Sequence, residues 1–405
     1  MPFKPLTALK WLAILAPVAV LTGSASAFFL WSLDAVTRLR FDHPWLLYLL
    51  PLGGVVVGWI YHRFSGTAAR GNNLIIDEIH QPGAGVPRRL APLILLGTLI
   101  THLFGGSAGR EGTAVQMGGG IAATLGRALR LNSADMRLLL MSGVAAGFGS
   151  VFGTPIAGAI FAVEVLVIGR IQYRGLIPCL IASWAAHGIC MAWGTHHLLL
   201  PHLECSSLDL RLVAKAALAA VAFGGVARLF VWLCHSMEQL FKRLCPPPCL
   251  RPALGGAAVI GLCFVAGSRD YLGLGVLAEH PDSITLPAMF TSEAVPASAW
   301  LWKLLFTAIT LGAAFKGGEV TPLFFIGAAL GNAIAITLGA PIDLFAALGL
   351  VAIFAAATKT PLASCILGME LFGASACLYL AAACLIAYLV SGPGGIYTAQ
   401  RKRAF

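Results

Sequence analysis

Four carboxylates of this 405-residue chain lie within or beside apolar segments: Glu111, Glu164, Glu319 and Glu370. A carboxylate in such a setting is costly unless it is paired, hydrated or protonated, so its default reading is functional. Glu111 sits in GGSAGREGTAVQMGGGIA, residues 105–122. Gly105, Gly106, Gly109 and Gly112 free the backbone to turn, and a helix is expected to start near Thr113. The first N–H groups of a helix have no intrahelical partner, and the dipole is positive there. Gly109, Arg110 and Gly112 therefore frame an anion site that needs no buried cation. Two readings of Glu111 stand side by side. Its ionised carboxylate fills the anion position and leaves on protonation, which couples anions to protons. Or it caps a helix start, worth about 0.3–1 kcal/mol.

A second such segment is FKGGEVTPLFFIGAALG, residues 315–331. Pro322 suits the first turn of a new helix. The N–H groups of Glu319, Val320 and Thr321 are expected to point at the same cavity as those of the first segment. Glu319 is the second membrane carboxylate that could handle a proton, and Lys316 could instead neutralise it as a plain ion pair. In GSVFGTPIAGAIFAVEV, residues 149–165, small residues permit close helix packing. Glu164 at its end reads as a structural carboxylate that accepts from backbone donors. In RGNNLIIDEIH, residues 70–80, Asn72 and Asn73 follow Gly71. Their carboxamides offer donors and an acceptor, but alone the stretch reads only as a turn with a cap.

Other chemistries fail on context. Gly105-x-Ser107-x-Gly109 matches a nucleophile elbow, which needs a strand before it and His and Asp partners. An apolar helical segment precedes it instead. A phosphate-binding P-loop needs a Lys that is missing here. His196, His197 and His202 stand near Glu204 and Cys205 at no helical ligand spacing, and read as a solvated loop. Cys245 and Cys249 flank three prolines without a second pair, which argues against zinc. No enzyme activity, metal or cofactor is expected.

The elements that position these residues belong in a membrane. Hydrophobic residues make up 58% of the chain, charged ones 11%, and the mean hydropathy is +0.85. At about 20 residues per span there is room for about a dozen spans. Apolar segments run near 11–33, 44–61, 90–104, 113–130, 136–168, 176–200, 210–236, 252–267, 295–315, 322–338, 344–357 and 360–391. Several are short or broken by Pro155, Pro322 or Pro361. Non-helical backbone survives in lipid only where protein buries it or it lines a polar cavity. An all-α polytopic membrane protein with broken helices is the expectation. The net charge of +10 comes from Lys and Arg at segment ends, such as Arg88, Arg89, Lys242 and Arg243. That is the pattern of positive-inside loops, not of a nucleic-acid stripe. Lys4, Lys10 and Ala25-Ser26-Ala27 imitate a signal peptide, yet the apolar run continues to Trp31, so a retained first span is expected. The chain also reads as doubled. Gly-rich breaks at 105–112 and 317–322 correspond, with a polar stretch between, which points to inverted repeats around a midplane site. The halves are taken as 1–206 and 207–405.

Together, GREG at 109–112, GTPIAGAIFAVE at 153–164 and GGEVTP at 317–322 resemble the CLC family of anion channels and anion/proton exchangers. The resemblance covers nearly the whole chain. It implies the CLC fold, with two inverted-topology repeats of tilted, broken helices, and usually a homodimer in which each subunit has its own pathway. The chain ends soon after its last span, so the cytosolic regulatory domains of some relatives are not expected. Departures point to a branch. Gly71-Asn72-Asn73 stands where most members carry a Ser motif, while Gly83-Ala84-Gly85-Val86-Pro87 lies too close to Glu111 for the family's spacing. GREG is followed by Thr113 instead of Pro, and GGEVTP replaces a phenylalanine-containing loop. These features resemble the fluoride/proton antiporter branch. Tyr397 looks like the family's anion-site tyrosine. The internal glutamate of chloride exchangers is expected near His196–Leu199, where no Glu stands, and Glu319 takes its place as candidate. The resemblance thus implies fluoride export driven by protons across the inner membrane of a bacterium, with Asn72, Asn73, Gly109, Arg110, Gly112, Val320, Thr321 and Tyr397 at the anion and Glu111 and Glu319 handling protons. Fluoride is small and strongly hydrated, so a site rich in donors suits it. A chloride/proton exchanger or chloride channel is the alternative.

Overall fold

The computed structural model describes residues 5–83, 85–204, 209–291 and 295–402. Ala84 and Cys205 lie outside them, as does the boundary between 206 and 207. Among the described residues the fold is all helical. The first half holds α1 (Pro5–Asp42), α2 (Leu50–Phe64), α3 (Asn72–His80), α4 (Leu90–Leu103), α5 (Glu111–Ala128), α6 (Ser133–Phe152), α7 (Pro155–Glu164) and α8 (Leu176–Ala192). The second holds α9 (Leu210–Leu244), α10 (Arg251–Ala266), α11 (Ala299–Gly312), α12 (Val320–Leu338), α13 (Ile342–Thr358), α14 (Pro361–Phe372) and α15 (Cys377–Val390). Six helical stretches are long and apolar enough to cross a membrane, and seven more are apolar but only 10–17 residues long. α1 runs unbroken through Ala25-Ser26-Ala27, and Ala27 and Phe29 are buried.

The breaks have local causes. Asn132 caps α6 by accepting from Asp135 N–H at 2.9 Å, and Gly153, at φ 79°, ends it. Pro155 then opens α7 and Pro361 opens α14, each in the first helical turn where a missing N–H costs nothing. Three expectations change. The run read as 136–168 is two helices split at Gly153 and Thr154, and the run read as 360–391 is split near Gly373. Residues 72–80, read as a turn, form α3, because Gly71 at φ 54° lets the chain turn straight into a helix.

Apart from α3, which has no α-helical counterpart among the described residues, the two halves repeat in order and nearly in length. α4 and α11 have 14 residues each, α5 and α12 have 18 and 19, and α7 and α14 have 10 and 12. Contacts between the halves are reciprocal, as inverted repeats about a two-fold axis require. Ser107 N–H donates to Thr310 Oγ1 at 3.1 Å, and Lys316 N–H donates to Thr101 Oγ1 at 3.3 Å. On the axis, Gly109 and Gly318 pair as antiparallel backbone, with N–H to O distances of 2.6 and 2.7 Å. The core straddles the same axis. Phe148 stacks on Phe161 at 4.7 Å, Phe161 faces Phe354 at 6.0 Å, and Phe354 meets Phe324 edge-on at 5.5 Å.

Basic residues tie segment ends together. Lys10 pairs with Asp135 at 3.0 Å, Arg127 donates to Val86 O at 2.6 Å, and Arg401 N–H donates to Leu166 O at 3.2 Å. Lys215 holds carbonyls at the end of α12, Leu338 O at 2.7 Å and Gly339 O at 3.1 Å.

Candidate functional site

The start of α12 holds a carboxylate from the other half. Glu111 is 1% exposed. Its Oε2 accepts from Thr321 N–H at 3.1 Å, and Thr321 Oγ1 lies 2.7 and 2.6 Å from Oε1 and Oε2. Arg110 adds its backbone N–H at 3.2 Å and its Nε at 3.3 Å. α5 begins at Glu111 itself, two residues before the expected Thr113, and no side chain caps it. Glu111 therefore does not cap its own helix. It occupies the positive end of α12, whose free N–H groups and dipole favour negative charge.

A cavity of about 510 Å³ opens beyond this carboxylate, lined by Asn72, Asn73, Glu319 and Tyr397 among others. Asn72 is buried, and its Oδ1 has no hydrogen-bond partner. Glu319 Oε2 is likewise unpartnered. The two side chains meet over Gly112. A Cβ there would come 2.9 Å from Glu319 Oε2 and 3.3 Å from Asn72 Nδ2. Gly112 thus contributes by having no side chain. Asn73 does something the sequence did not signal. Its Oδ1 accepts from Ala399 N–H at 3.0 Å, and this fixes the segment that carries Tyr397 beside Asn72. Tyr397 is 5% exposed, and Ile396 N–H donates to Ala357 O at 2.9 Å to hold the same segment.

Arg110 lies elsewhere. Its side chain lines a second cavity, of about 370 Å³, together with Asp34, Arg38, His196 and His197. Glu111 lines neither cavity; its neighbour Arg110 lines this second one, and its neighbour Gly112 lies against Glu319 and Asn72 of the first. Two expectations are corrected here. Gly109 was expected at the anion, but its N–H is spent on Gly318 O at 2.6 Å. His196, His197 and Leu198, near which the internal glutamate of chloride exchangers was expected, border the Arg110 cavity instead of the one that holds Asn72. Lys316 does not pair with Glu319. Its Nζ sits 4.3 Å from the centroid of the Tyr61 ring. Val320 is buried at the first position of α12.

Glu164 and Glu370 use both oxygens on backbone. Glu164 accepts from Leu362 and Ala363 N–H at 3.0 and 2.7 Å, and Glu370 from Ile156 and Ala157 N–H at the same distances. The sequence reading missed the far wall of the Asn72 cavity, formed by Cys234, His235 and Glu238 of α9 together with Gln116. No motif marks them, since an apolar helix brings them from a distant part of the chain.

The profile of the family described as voltage gated chloride channel matches residues 53–392. The chain is 46% identical over 394 residues to a protein of Pseudomonas syringae pv. tomato named chloride/fluoride channel protein, covering 97% of this chain and 86% of that one. Its fold superposes on the crystal structure of a CLC-type fluoride/proton antiporter with a TM-score of 0.93 at 34% identity, covering 99% of this chain and all of the other. A slow cyanobacterial chloride/proton antiporter superposes with a TM-score of 0.82 at 21% identity over 96% of each chain, which speaks to the fold alone. Members of this family move ions and are not enzymes. With its helices, its reciprocal halves and these matches, the chain is a multi-pass membrane protein of the CLC family of anion channels and transporters.

Proposed function

We propose that this protein exports fluoride in exchange for protons. The single observation that carries the reading is the carboxylate of Glu111 seated at the start of α12, on the donors an anion would use. A carboxylate and a fluoride ion compete for one place. When Glu111 is ionised it fills that place, and when it binds a proton it loses charge and yields it. A proton arriving at Glu111 is thereby exchanged for an anion leaving.

Glu319 serves as the second proton group. It lines the cavity with Asn72 and Tyr397, and one of its oxygens is free to accept a proton. Asn72, Tyr397 and the N–H groups of Gly112, Val320 and Thr321 supply the donors that replace the anion's water. Fluoride holds its water more tightly than chloride does, so a ring of strong donors favours it. The names of the similar proteins favour the same cargo. The basic segment ends face the cytoplasm by the positive-inside rule, and the Asn72 cavity is taken as the entrance from the cell. The setting is the inner membrane of a bacterium, and the active form is a homodimer with one pathway per subunit.

The deciding experiment is anion efflux from proteoliposomes, with fluoride and chloride compared and protons recorded in parallel. Fluoride efflux with counter-movement of protons is expected. Chloride moving as well as fluoride, or fluoride moving without protons, would overturn the reading.

A further inference from the structure

Four ionic side chains besides Glu319 line the Asn72 cavity or its mouth: Arg70, His235, Glu238 and Lys316. Two of them are neutralised locally. Arg70 is paired with Asp77, and Glu238 with Lys242 at 2.5 Å. Lys316 is not. Among the described residues it has no carboxylate within 4.0 Å, and its ammonium faces the Tyr61 ring. Its stem is fixed from both ends. The backbone N–H donates to Thr101 Oγ1, and the side chain lies along Gly97, where a Cβ would fall 2.9 Å from Lys316 Cβ and Cγ.

Holding a cation by a ring instead of a carboxylate has a consequence. A carboxylate cancels the charge and takes up the N–H donors. A ring attracts the cation through its quadrupole but accepts little from those donors. The ammonium keeps its field and its hydrogen-bonding capacity. In a concave pocket of mixed polar and apolar lining, that field is focused and draws in ions of opposite sign. An ammonium is also a compact point charge with three donors, a fit for a small, hard anion.

We propose that Lys316 captures the anion in this cavity and holds it ahead of Asn72 and Glu319, with Tyr61 keeping the ammonium unpaired and in place. The inference rests on the reading of this site as a fluoride pathway. It adds a capture step, with its own residue, before the anion reaches the donors at the start of α12. It also explains why the Lys316 side chain turns away from Glu319. A salt bridge between them would quench the capture charge and tie up the proton group together.

The test uses full-length protein in proteoliposomes, with fluoride efflux followed as a function of fluoride concentration at low and high ionic strength. Lys316→Met is expected to raise the half-saturating fluoride concentration by about tenfold, with a smaller change in maximal rate. Lys316→Arg keeps the charge and is expected to stay near wild type. High ionic strength is expected to raise the wild-type value toward that of Lys316→Met, whose own value moves little. An unchanged half-saturation in Lys316→Met overturns the proposal. Should that variant fail to assemble, the wild type decides: a half-saturation insensitive to ionic strength overturns the proposal equally. Proton-coupled fluoride movement by the wild type is recorded in the same vesicles. Its absence would count against the functional reading itself, whereas its presence with no effect of Lys316→Met counts against the capture step alone.

Discussion

Glu164 caps the helix that carries Glu370, and Glu370 caps the helix that carries Glu164. Each carboxylate accepts two backbone N–H groups at the start of the opposite short helix. Two ten- to twelve-residue helices buried in a membrane protein have orphan donors that water cannot reach. Here each helix supplies the other's cap, so neither start is left bare.

Removing one cap leaves two N–H donors at a helix start unpaired, one of them on a buried residue, at a cost of about 1–3 kcal/mol for the buried one. Glu164→Ala and Glu370→Ala are expected to lower thermal stability in detergent by similar amounts. Purified protein that survives is expected to retain its ratio of protons to anions. A changed ratio in either variant would instead place that carboxylate on the proton route.

Glu111→Gln keeps the shape of the side chain and removes its titration. Coupled exchange is expected to be lost, with anion flow either stopped or running without protons. Glu319→Gln is expected to alter coupling while the protein still folds, because its free oxygen holds nothing together. Normal proton-coupled exchange in either variant would remove that residue from the mechanism.

Asn72→Ser shortens a side chain that meets Glu319 over Gly112. Fluoride loses a donor it needs to offset dehydration, while chloride gains room. A change of about 1.4 kcal/mol in relative barrier shifts the ratio of rates tenfold. Efflux of both ions from the same vesicles is expected to move toward chloride. An unchanged ratio with transport intact would confine Asn72 to starting α3.

Gly318→Ala places a methyl group 2.6 Å from the backbone N of Gly112 and 3.2 Å from that of Glu111. The neighbours are backbone and cannot swing aside. The start of α5 is expected to shift and transport to fall sharply. Size-exclusion chromatography separates this from failure to assemble. Full activity in Gly318→Ala would mean that the two segments are less tightly joined than their pairing implies.

The segments that meet at the site were legible because glycine and proline cannot be ignored in an apolar chain. Gly105 to Gly112 and Gly317 to Pro322 mark broken helices wherever they stand, and an acid beside such a break has few structural uses. The partners were not legible. Lys316 and Glu319 are three apart, which suggests a pair on a helix, but Lys316 precedes the first turn of α12, so helical neighbour geometry does not apply. Asn73 and Ala399 lie at opposite ends of the chain, and nothing local announces their bond. The repeat of Thr154-Pro155 to Glu164 in Thr360-Pro361 to Glu370 was on view in the sequence. Glu370 was nevertheless read only as a carboxylate beside an apolar segment, and the reciprocal caps came from the structure.

The backbone pairing of Gly109 with Gly318 limits how the protein can move. It lies beside the Glu111 carboxylate and ties the two halves together with main-chain bonds that no change of protonation can release. Halves joined at their centre are not free to part at that point. In the proposed mechanism the moving part is then the Glu111 side chain, which leaves the start of α12 when it binds a proton. On that proposal passage works as a turnstile: a barrier one residue wide, turned by a proton, in a frame pinned at its hub.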